Sequence, residues 1–384
     1  MNKKVIRLIA ILMAALMVLS LAVSAFAEEP GAELKYYFCM CDSFGNKAGG
    51  EMGRPDANGW LAGSYPVLLS RYLGLTGQDQ HFYGGRAGWR TNEIRYLLDD
   101  SFSRDAFASN DDWLHFYGGY GVKYLDDLRP AYRANLRKAD IVTVNIGSND
   151  LVGNLLFAAE EVLKYHSASD PCSRELLARI EAVKEKYSGE EAIAKILEIL
   201  ALAPNGVILV QNVLNAFTRI MRDFGDNFDA MMKAVESYTS EDTTILVLGI
   251  FNPVSSAIQV KAGLPGWLSD MVAAAFDPIV SYVNLHMKYG SAYASTYTYV
   301  DVTDVDMTGS VDGAHLGLAG HRYFFEQLVT ALNSALPCDH SFGTTLINYR
   351  APSKLLAGYS GDVKCDHCGE IIEKGSLLRP TLFG

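Results

Sequence analysis

Three side chains in this sequence have the types that acyl transfer requires, although they stand far apart along the chain. Ser43 follows a short apolar run and Asp42, while Asp312 and His315 lie near the end of the chain, three positions apart in a turn that contains glycine. A serine hydroxyl becomes an effective nucleophile when a base takes its proton. A carboxylate can fix the tautomer of the histidine that serves as this base. Each residue alone is more typical of a turn or helix cap, so the hypothesis requires that the fold bring them together.

Two further stretches could stabilise negative charge. Residues 147–150 read GSND, which puts the amide of Asn149 at a strand-to-helix turn. Residues 83–89 read YGGRAGW, and glycine at a loop-to-helix junction lets a backbone N–H point into a site without a side chain in the way. An amide N–H aimed at a reacting carbonyl stabilises the oxyanion that develops there. By itself, Asn149 is also typical of a helix cap.

The elements that must position these residues alternate between strand and helix. Apolar runs predict buried strands, and stretches of helical period lie between them. The expected strands are 34–41, 141–146, 244–251 and 297–302. The expected helices are 65–73, 91–98, 130–138, a long broken region over 151–238, then 266–289 and 318–336. This alternation predicts an α/β fold with a mainly parallel sheet between two helical layers, and functional loops at the carboxyl ends of the strands.

The four stretches together resemble the SGNH hydrolases, also called the GDSL esterase and lipase family, in order, spacing and predicted structure. Over about residues 34–336, Asp42-Ser43 match the family's Gly-Asp-Ser motif apart from its glycine. Residues 147–150 match Gly-x-Asn-Asp letter for letter, and Asp312 and His315 match Asp-x-x-His. The family's second motif, a glycine that gives a backbone N–H, falls best on Gly88. The resemblance implies a flavodoxin-like three-layer α/β/α fold.

The resemblance also implies roles for these residues. Ser43 would attack an ester carbonyl, His315 would take and return the proton, and Asp312 would orient His315. The oxyanion hole would consist of the backbone N–H groups of Ser43 and Gly88 and the side-chain amide of Asn149. No G-x-S-x-G, G-x-G-x-x-G or G-x-x-x-x-G-K-[ST] occurs, so the sequence does not support an α/β-hydrolase elbow or a nucleotide-binding loop.

Two features depart from the family pattern. Cys41 brings a side chain where the family has glycine. We expect it to pack into the sheet as a small hydrophobe, with an alternative role as nucleophile disfavoured. The helical region 151–238 is longer than compact family members need, and it either forms a lid or substrate wall or adds cover to the core.

The first 27 residues have the pattern of a secretory signal peptide. Three basic residues precede an apolar run, and Ala25-Phe26-Ala27 ends the segment before Glu28. We expect cleavage after Ala27 and a secreted or extracellular protein without an integral membrane segment. The alternative is a retained anchor. The resemblance of the C-terminal cysteine and histidine pairs to small modules of secreted proteins in Gram-positive bacteria implies the cell envelope of such a bacterium.

Composition and charge limit the partners. The chain has 384 residues, 49% of them hydrophobic, which is ordinary for a globular protein. Without residues 1–27 it has 30 basic and 44 acidic side chains, a formal charge of −14. Because such a surface repels phosphate backbones and anionic lipid headgroups, we expect no nucleic-acid partner.

The end of the chain differs in character from the rest. Residues 338–384 contain half of the six cysteines, and Cys338-x-His340 and Cys365-x-x-Cys368 bracket a loop of 24 residues. Two such pairs are what a tetrahedral zinc site requires. We therefore expect a small module, similar to a zinc ribbon, with a structural zinc. The alternative is a disulfide, which export would permit.

The sequence thus predicts a signal peptide over 1–27, a hydrolase domain over 28–337 and a Cys/His module over 338–384. The expected function is a secreted serine ester hydrolase that works through a Ser-His-Asp triad and an acyl-enzyme, with no cofactor for catalysis. Its substrate would be a small or glycan-borne acyl ester, such as a carbohydrate O-acetyl group. The alternative is a catalytically inactive extracellular binding protein on the same scaffold. Association with the cell surface is a further expectation for either function.

Overall fold

The structure is a computed structural model of the chain. It describes residues 36–46, 61–108, 121–187, 195–196, 198–199, 215, 224–252, 266–307, 309–310, 315–335, 344–353, 357–365 and 371–379. The predicted signal peptide lies outside these residues. The chain divides into two compact units, of which one comprises residues 35–336 and the other contains residues 337–384.

The first unit is built on a five-stranded parallel sheet. Its strands are β1 (Tyr37–Cys41), β2 (His81–Tyr83), β3 (Ile141–Asn145), β4 (Thr244–Leu248) and β5 (Thr298–Val300). They lie in the order β2-β1-β3-β4-β5, and each neighbouring pair is parallel. This is the flavodoxin-like strand order, so the predicted fold class is confirmed.

The residues of β1 divide between the two faces of the sheet because successive side chains of a strand point to opposite sides. Phe38 packs edge-on against Tyr132, with ring centroids 5.0 Å apart. On the other face, the Cys39 thiol lies 3.9 Å from the hydroxyl of Tyr65. All five residues of β1 are buried, which explains its unbroken apolar pattern.

Helices cover both faces and complete the three layers. The helices are α1 (Ser43–Asn46), α2 (Tyr65–Tyr72), α3 (Thr91–Leu98), α4 (Arg104–Ala108), α5 (Val122–Leu136), α6 (Ser148–Ser167), α7 (Pro171–Lys186), α8 (224–238), α9 (Gly266–Leu285), which continues as a π-helix over His286–Gly290, and α10 (Leu318–Ala335). α2 packs against α10, where the rings of Tyr65 and Phe324 lie 5.6 Å apart. α3 packs against α5, which carries Tyr132 on the opposite face of the sheet.

The long region between β3 and β4 contains several helices. α6 packs against α7, and Leu163 in α6 and Ile180 in α7 are fully buried. The Asp170 carboxylate caps α7 by accepting hydrogen bonds from the backbone N–H groups of Cys172 and Ser173. These buried residues are part of the cluster that includes the sheet, so the described part of this region adds to the hydrophobic core.

β2 and α5 differ from the sequence prediction. β2 was not predicted, because it has three residues, all half-buried, and so carries no recognisable apolar run. The prediction that a helix starts at Pro130 is wrong, because α5 begins at Val122 and Pro130 lies inside it. Proline lacks the N–H that would bond the carbonyl four residues earlier, yet the helix continues because Leu125, Tyr132 and Leu136 anchor it in the core.

The second unit contains short antiparallel strands. These are β6 (Thr344–Ile347), β7 (Gly358–Tyr359), β8 (Asp362–Cys365), β9 (Ile371–Glu373) and β10 (Leu377–Leu378). They form a three-stranded sheet in the order β6-β8-β9 and a two-stranded pair of β10 with β7. The Asp362 carboxylate accepts hydrogen bonds from Asn348 Nδ2 and the backbone N–H of Gly375 and so ties three segments together.

Across the parts of the chain that the structure describes, no helix combines the length and apolar character that crossing a bilayer requires.

Candidate active site

Ser43 lies at the carboxyl end of β1, where the chain turns into the short helix α1. Asp42 fills the turn between them, and its Oδ1 accepts a hydrogen bond of 2.8 Å from the backbone N–H of Phe44. This Asx-type bond caps the turn locally. The side chain of Ser43 is therefore held at the edge of the sheet where parallel strands carry their functional loops.

His315 contacts Ser43 across 272 positions of sequence. The distance from His315 Nε2 to Ser43 Oγ is 2.9 Å, and both residues are buried. The ring of Phe44 lies 5.6 Å from the imidazole, and it packs in turn against Phe251. With a neutral imidazole that accepts from the hydroxyl, the pair has the geometry of a nucleophile and its general base.

Asp312, the predicted third member of the triad, lies outside the described residues. Its role in orienting His315 therefore stays a prediction. His315 itself lies three residues before the start of α10 at Leu318.

The amide of Asn149 lies between the other two segments predicted to form the oxyanion hole. Asn149 Nδ2 donates to Asp42 Oδ2 at 3.0 Å and to the backbone oxygen of Trp89 at 3.1 Å. Asp42 adjoins Ser43 in sequence, and Trp89 adjoins Gly88. Both hydrogens of the amide nitrogen already have an acceptor. An oxyanion would therefore have to share one hydrogen with its present acceptor or displace that acceptor.

Gly88 and Gly147 both have a positive φ angle, a backbone conformation that glycine adopts more easily than other residues. Gly88 has φ of +81°, and Gly147, the residue before α6, has φ of +127°. At Gly147 a side chain would also approach Met287 and Ile250 at 3.2 and 3.4 Å. Gly147 thus allows β3 to turn into α6 and brings Asn149 to the same edge of the sheet as Ser43.

The carboxyl group of Asp42 is fully buried beside this site. Burial raises its pKa to about 7, while the Phe44 N–H, the positive potential of His315 and the Asn149 amide act in the opposite direction. Near neutral pH this carboxyl group therefore exists in both protonation states. In the ionised form both oxygens accept, Oδ1 from the Phe44 N–H and Oδ2 from Asn149, whereas in the neutral form one of these two oxygens carries the proton.

Cys41 is buried in the turn that precedes the nucleophile. Its Sγ lies 3.5 Å from Cys39 Sγ, and burial raises the pKa of the Cys41 thiol well above its usual value. Because the thiolate is the reactive form, this environment is unsuited to a nucleophile. The expected packing role of Cys41 agrees with this geometry.

Sequence reasoning assigned no role to three residues that support the site, namely Asp42, Trp89 and Thr91. Asp42 accepts from Asn149 and Phe44, and Trp89 accepts from Asn149 through its backbone oxygen. Thr91 bonds Asp150 with its side chain and its backbone N–H. Only Asp42 had a signal in the sequence, its place before the serine, because the other bonds join residues about 60 positions apart.

The predicted metal ligands fall mostly outside the described residues. Cys338, His340 and Cys368 lie there, while Cys365 is buried at the end of β8. Within the described ranges, no group of three His, Cys, Asp or Glu side chains is arranged to hold a metal ion.

Comparison with known proteins gives distant structural neighbours. No protein-family model matches the sequence, and no curated protein sequence matches it. Among solved structures, a lipase from goat rumen metagenome is 15% identical with a TM-score of 0.42, and the match covers 77% of this chain and 96% of that one. A phospholipase A1 from Streptomyces albidoflavus is 13% identical with a TM-score of 0.42, over 78% and 99% of the two chains. An extracellular lipase from Streptomyces rimosus is 14% identical with a TM-score of 0.38, over 77% and 99%.

Proposed function

We propose that this protein is a serine ester hydrolase of the SGNH type, with Ser43 as nucleophile and His315 as general base. One observation carries this proposal, the 2.9 Å contact between Ser43 Oγ and His315 Nε2. The two residues come from opposite ends of the domain, and burial of both protects the contact from water. A serine and a histidine paired in this way suit acyl transfer better than ligand binding alone.

The reaction would proceed in two halves. His315 removes the proton of Ser43 as Oγ attacks the ester carbonyl, and the same imidazolium then protonates the leaving alcohol, which leaves an acyl-enzyme. In the second half, His315 takes a proton from water as the water oxygen attacks the acyl carbon. The bond between that carbon and Ser43 Oγ then breaks, the carboxylic acid leaves, and the imidazolium returns the proton to Oγ. Asp312 would hold the imidazole in the tautomer that both halves need.

Three donors would stabilise the oxyanion of each tetrahedral intermediate. They are the backbone N–H groups of Ser43 and Gly88 and the amide of Asn149. The bonds from Asn149 Nδ2 to Asp42 and to Trp89 support this assignment, because they hold the amide between the Ser43 turn and the Gly88 loop. Loss of one such donor typically costs about 2.7–4 kcal/mol of transition-state stabilisation.

As substrate we propose a small or carbohydrate-borne acyl ester. The excess of acidic side chains in the chain supports a neutral substrate over an anionic lipid surface, since like charges repel at a distance.

The pattern of residues 1–27 supports secretion of the protein. The spacing of Cys338, His340, Cys365 and Cys368 supports a structural zinc in the C-terminal module.

The test is hydrolysis of p-nitrophenyl acetate by the purified chain and by matched serine variants. Ser43→Ala should lower kcat by at least about a thousandfold, since the nucleophile is lost. Ser70→Ala is the control, because Ser70 lies in α2, is also buried, and donates a hydrogen bond to the backbone oxygen of Leu75. Wild-type protein without hydrolysis, or Ser43→Ala with activity equal to that of Ser70→Ala, would contradict the proposal.

A further inference from the structure

A buried hydrogen-bonded pair joins the N-termini of α3 and α6. Thr91 is the first residue of α3, and Asp150 lies in the first turn of α6. The backbone N–H of Thr91 donates to Asp150 Oδ2 at 3.0 Å, and Thr91 Oγ1 donates to Asp150 Oδ1 at 2.6 Å. The carboxylate thus receives two bonds from one residue, which fixes both the distance and the relative orientation of the two helix ends.

The surroundings of this pair are closed to water and carry charge. Thr91 is fully buried and Asp150 is 4% exposed. Burial raises the pKa of Asp150 to about 6, while the bonds from Thr91 and the charge of Arg90 lower it and Glu93 raises it. Arg90 and Glu93 form their own buried pair, with Nη2 and Oε1 2.7 Å apart. Because a buried carboxylate is costly without partners, its two bonds to Thr91 are a specific structural requirement.

The pair links the two chain segments that carry two donors of the proposed oxyanion hole, the Gly88 backbone N–H and the Asn149 amide. Thr91 follows Gly88 by three positions, and Asp150 directly follows Asn149. A third bond runs in parallel, from Asn149 Nδ2 to the backbone oxygen of Trp89. The Gly88 loop and the Asn149 turn are therefore held against each other by three hydrogen bonds, of which two come from Thr91.

We propose that Thr91 and Asp150 are positioning residues that set the separation of the Gly88 N–H from the Asn149 amide. This inference rests on the proposed function, since it assigns a task within the same oxyanion hole. Neither residue touches substrate in this role. The pair acts through the two donors, whose placement matters most when charge develops on the carbonyl oxygen.

A positioning role differs from a merely structural one in its kinetic signature. A misplaced donor weakens binding of the transition state and leaves binding of the ground-state ester nearly unchanged, so kcat falls while KM stays the same. A merely structural bond would affect the free energy of unfolding and leave kcat unchanged. The two roles are separated by variants that remove one buried hydroxyl without changing shape.

The experiment compares Thr91→Val, Thr91→Ser and Thr143→Val in the full chain. Thr91→Val removes the bond to Asp150 Oδ1 and keeps the backbone bond, whereas Thr91→Ser keeps both. Thr143→Val is the matched control, since Thr143 is fully buried in β3 and its Oγ1 lies 2.8 Å from the hydroxyl of Tyr37. We expect Thr91→Val to lower kcat for p-nitrophenyl acetate about tenfold with KM within about twofold, because small displacements of catalytic groups have large effects on rate. Thr91→Ser and Thr143→Val should stay within about threefold of wild type in kcat, since neither disturbs the donors.

A second measurement uses a fluorophosphonate, whose phosphoryl oxygen would occupy the same hole. Its rate of reaction with the protein should fall in Thr91→Val by a factor similar to that in kcat. If wild type is active but Thr91→Val retains its kcat, or Thr143→Val loses as much, the positioning role is overturned while the proposed function stands. Wild type that neither hydrolyses the ester nor reacts with the fluorophosphonate would overturn both.

Discussion

The thiol of Cys41 fills the space that a side chain on Gly45 would need. A Cβ atom added to Gly45 would lie 2.2 Å from Cys41 Sγ and 3.1 Å from Cys41 Cβ, with Tyr83 next at 3.4 Å. Gly85 faces the same residue, but there a Cβ atom would lie 2.4 Å from the backbone oxygen of Cys41 and 2.6 Å from its Sγ. The turn before Ser43 therefore accommodates a cysteine because two neighbouring residues have no side chain.

This packing predicts that substitutions at residues 41 and 45 are coupled. Gly45→Ala should destabilise the protein by about 1–3 kcal/mol, the usual cost of overpacking a core. In a Cys41→Gly background the same substitution should cost less than about 1 kcal/mol, because the thiol that it would meet is gone. Urea denaturation of the two single variants and the double variant measures this coupling.

Gly85→Ala provides the control for that coupling. Its nearest obstacle is the backbone oxygen of Cys41, which Cys41→Gly leaves in place. Cys41→Gly should therefore recover less of the stability lost by Gly85→Ala than of that lost by Gly45→Ala, because it removes the thiol at 2.6 Å but not the oxygen at 2.4 Å. An equal loss in free energy of unfolding from Gly45→Ala in the wild-type and Cys41→Gly backgrounds would contradict this packing.

The raised pKa of Asp42 predicts an unusual dependence of stability on pH. Burial raises this pKa from 3.8 to about 7, so between these values the folded state binds more protons than the unfolded state. The contribution of Asp42 to stability is therefore largest at low pH and decreases as pH rises through this window. For pKa values of 3.8 and about 7, the decrease between pH 5 and 8 is roughly 2–3 kcal/mol.

Asp42→Asn isolates this contribution. The difference in free energy of unfolding between the variant and wild type should shift in favour of the variant as pH rises from 5 to 8. Urea denaturation at several pH values measures the shift. Parallel curves for the two proteins, or a shift in favour of wild type, would contradict the assignment of a buried, proton-binding carboxyl group.

For the C-terminal module we propose zinc, and metal analysis tests it. Protein purified without chelator should contain about one zinc per chain if Cys338, His340, Cys365 and Cys368 bind a single ion. Cys365→Ser should lose the metal, since zinc sites of this kind require the thiolate. Cys172→Ser is the control, because Cys172 lies in α7 in the other unit. Absence of zinc together with a disulfide at Cys365 would overturn the assignment.

The sheet was largely predictable, because its central strands are buried on both faces and therefore appear as continuous apolar runs. β1, β3 and β4 were all expected, and their parallel order follows from the helices between them. β2 was missed because a three-residue edge strand leaves no such run. α5 was shortened in the prediction because Pro130 suggests a helix start, whereas in the structure the packing of Leu125 and Tyr132 determines the extent of the helix.

Within the site, the motifs located residues but not the bonds between them. The proximity of Ser43 and His315 was expected from the resemblance of their motifs to those of a known hydrolase family, and the structure brings the two side chains together. The bonds of Asn149 to Asp42 and Trp89 were not predicted. Such contacts depend on side-chain placement across segments distant in sequence, and no local pattern records them.

The most direct measurement of the central claim is covalent labelling by a fluorophosphonate, followed by mass spectrometry of the peptides. The Ser43–His315 contact of 2.9 Å predicts a single phosphonyl group on Ser43 in wild type. It also predicts labelling of His315→Ala that is at least about a hundredfold slower, because the base is lost. Labelling of a different residue, or a His315→Ala variant that reacts as fast as wild type, would contradict the assignment of nucleophile and base.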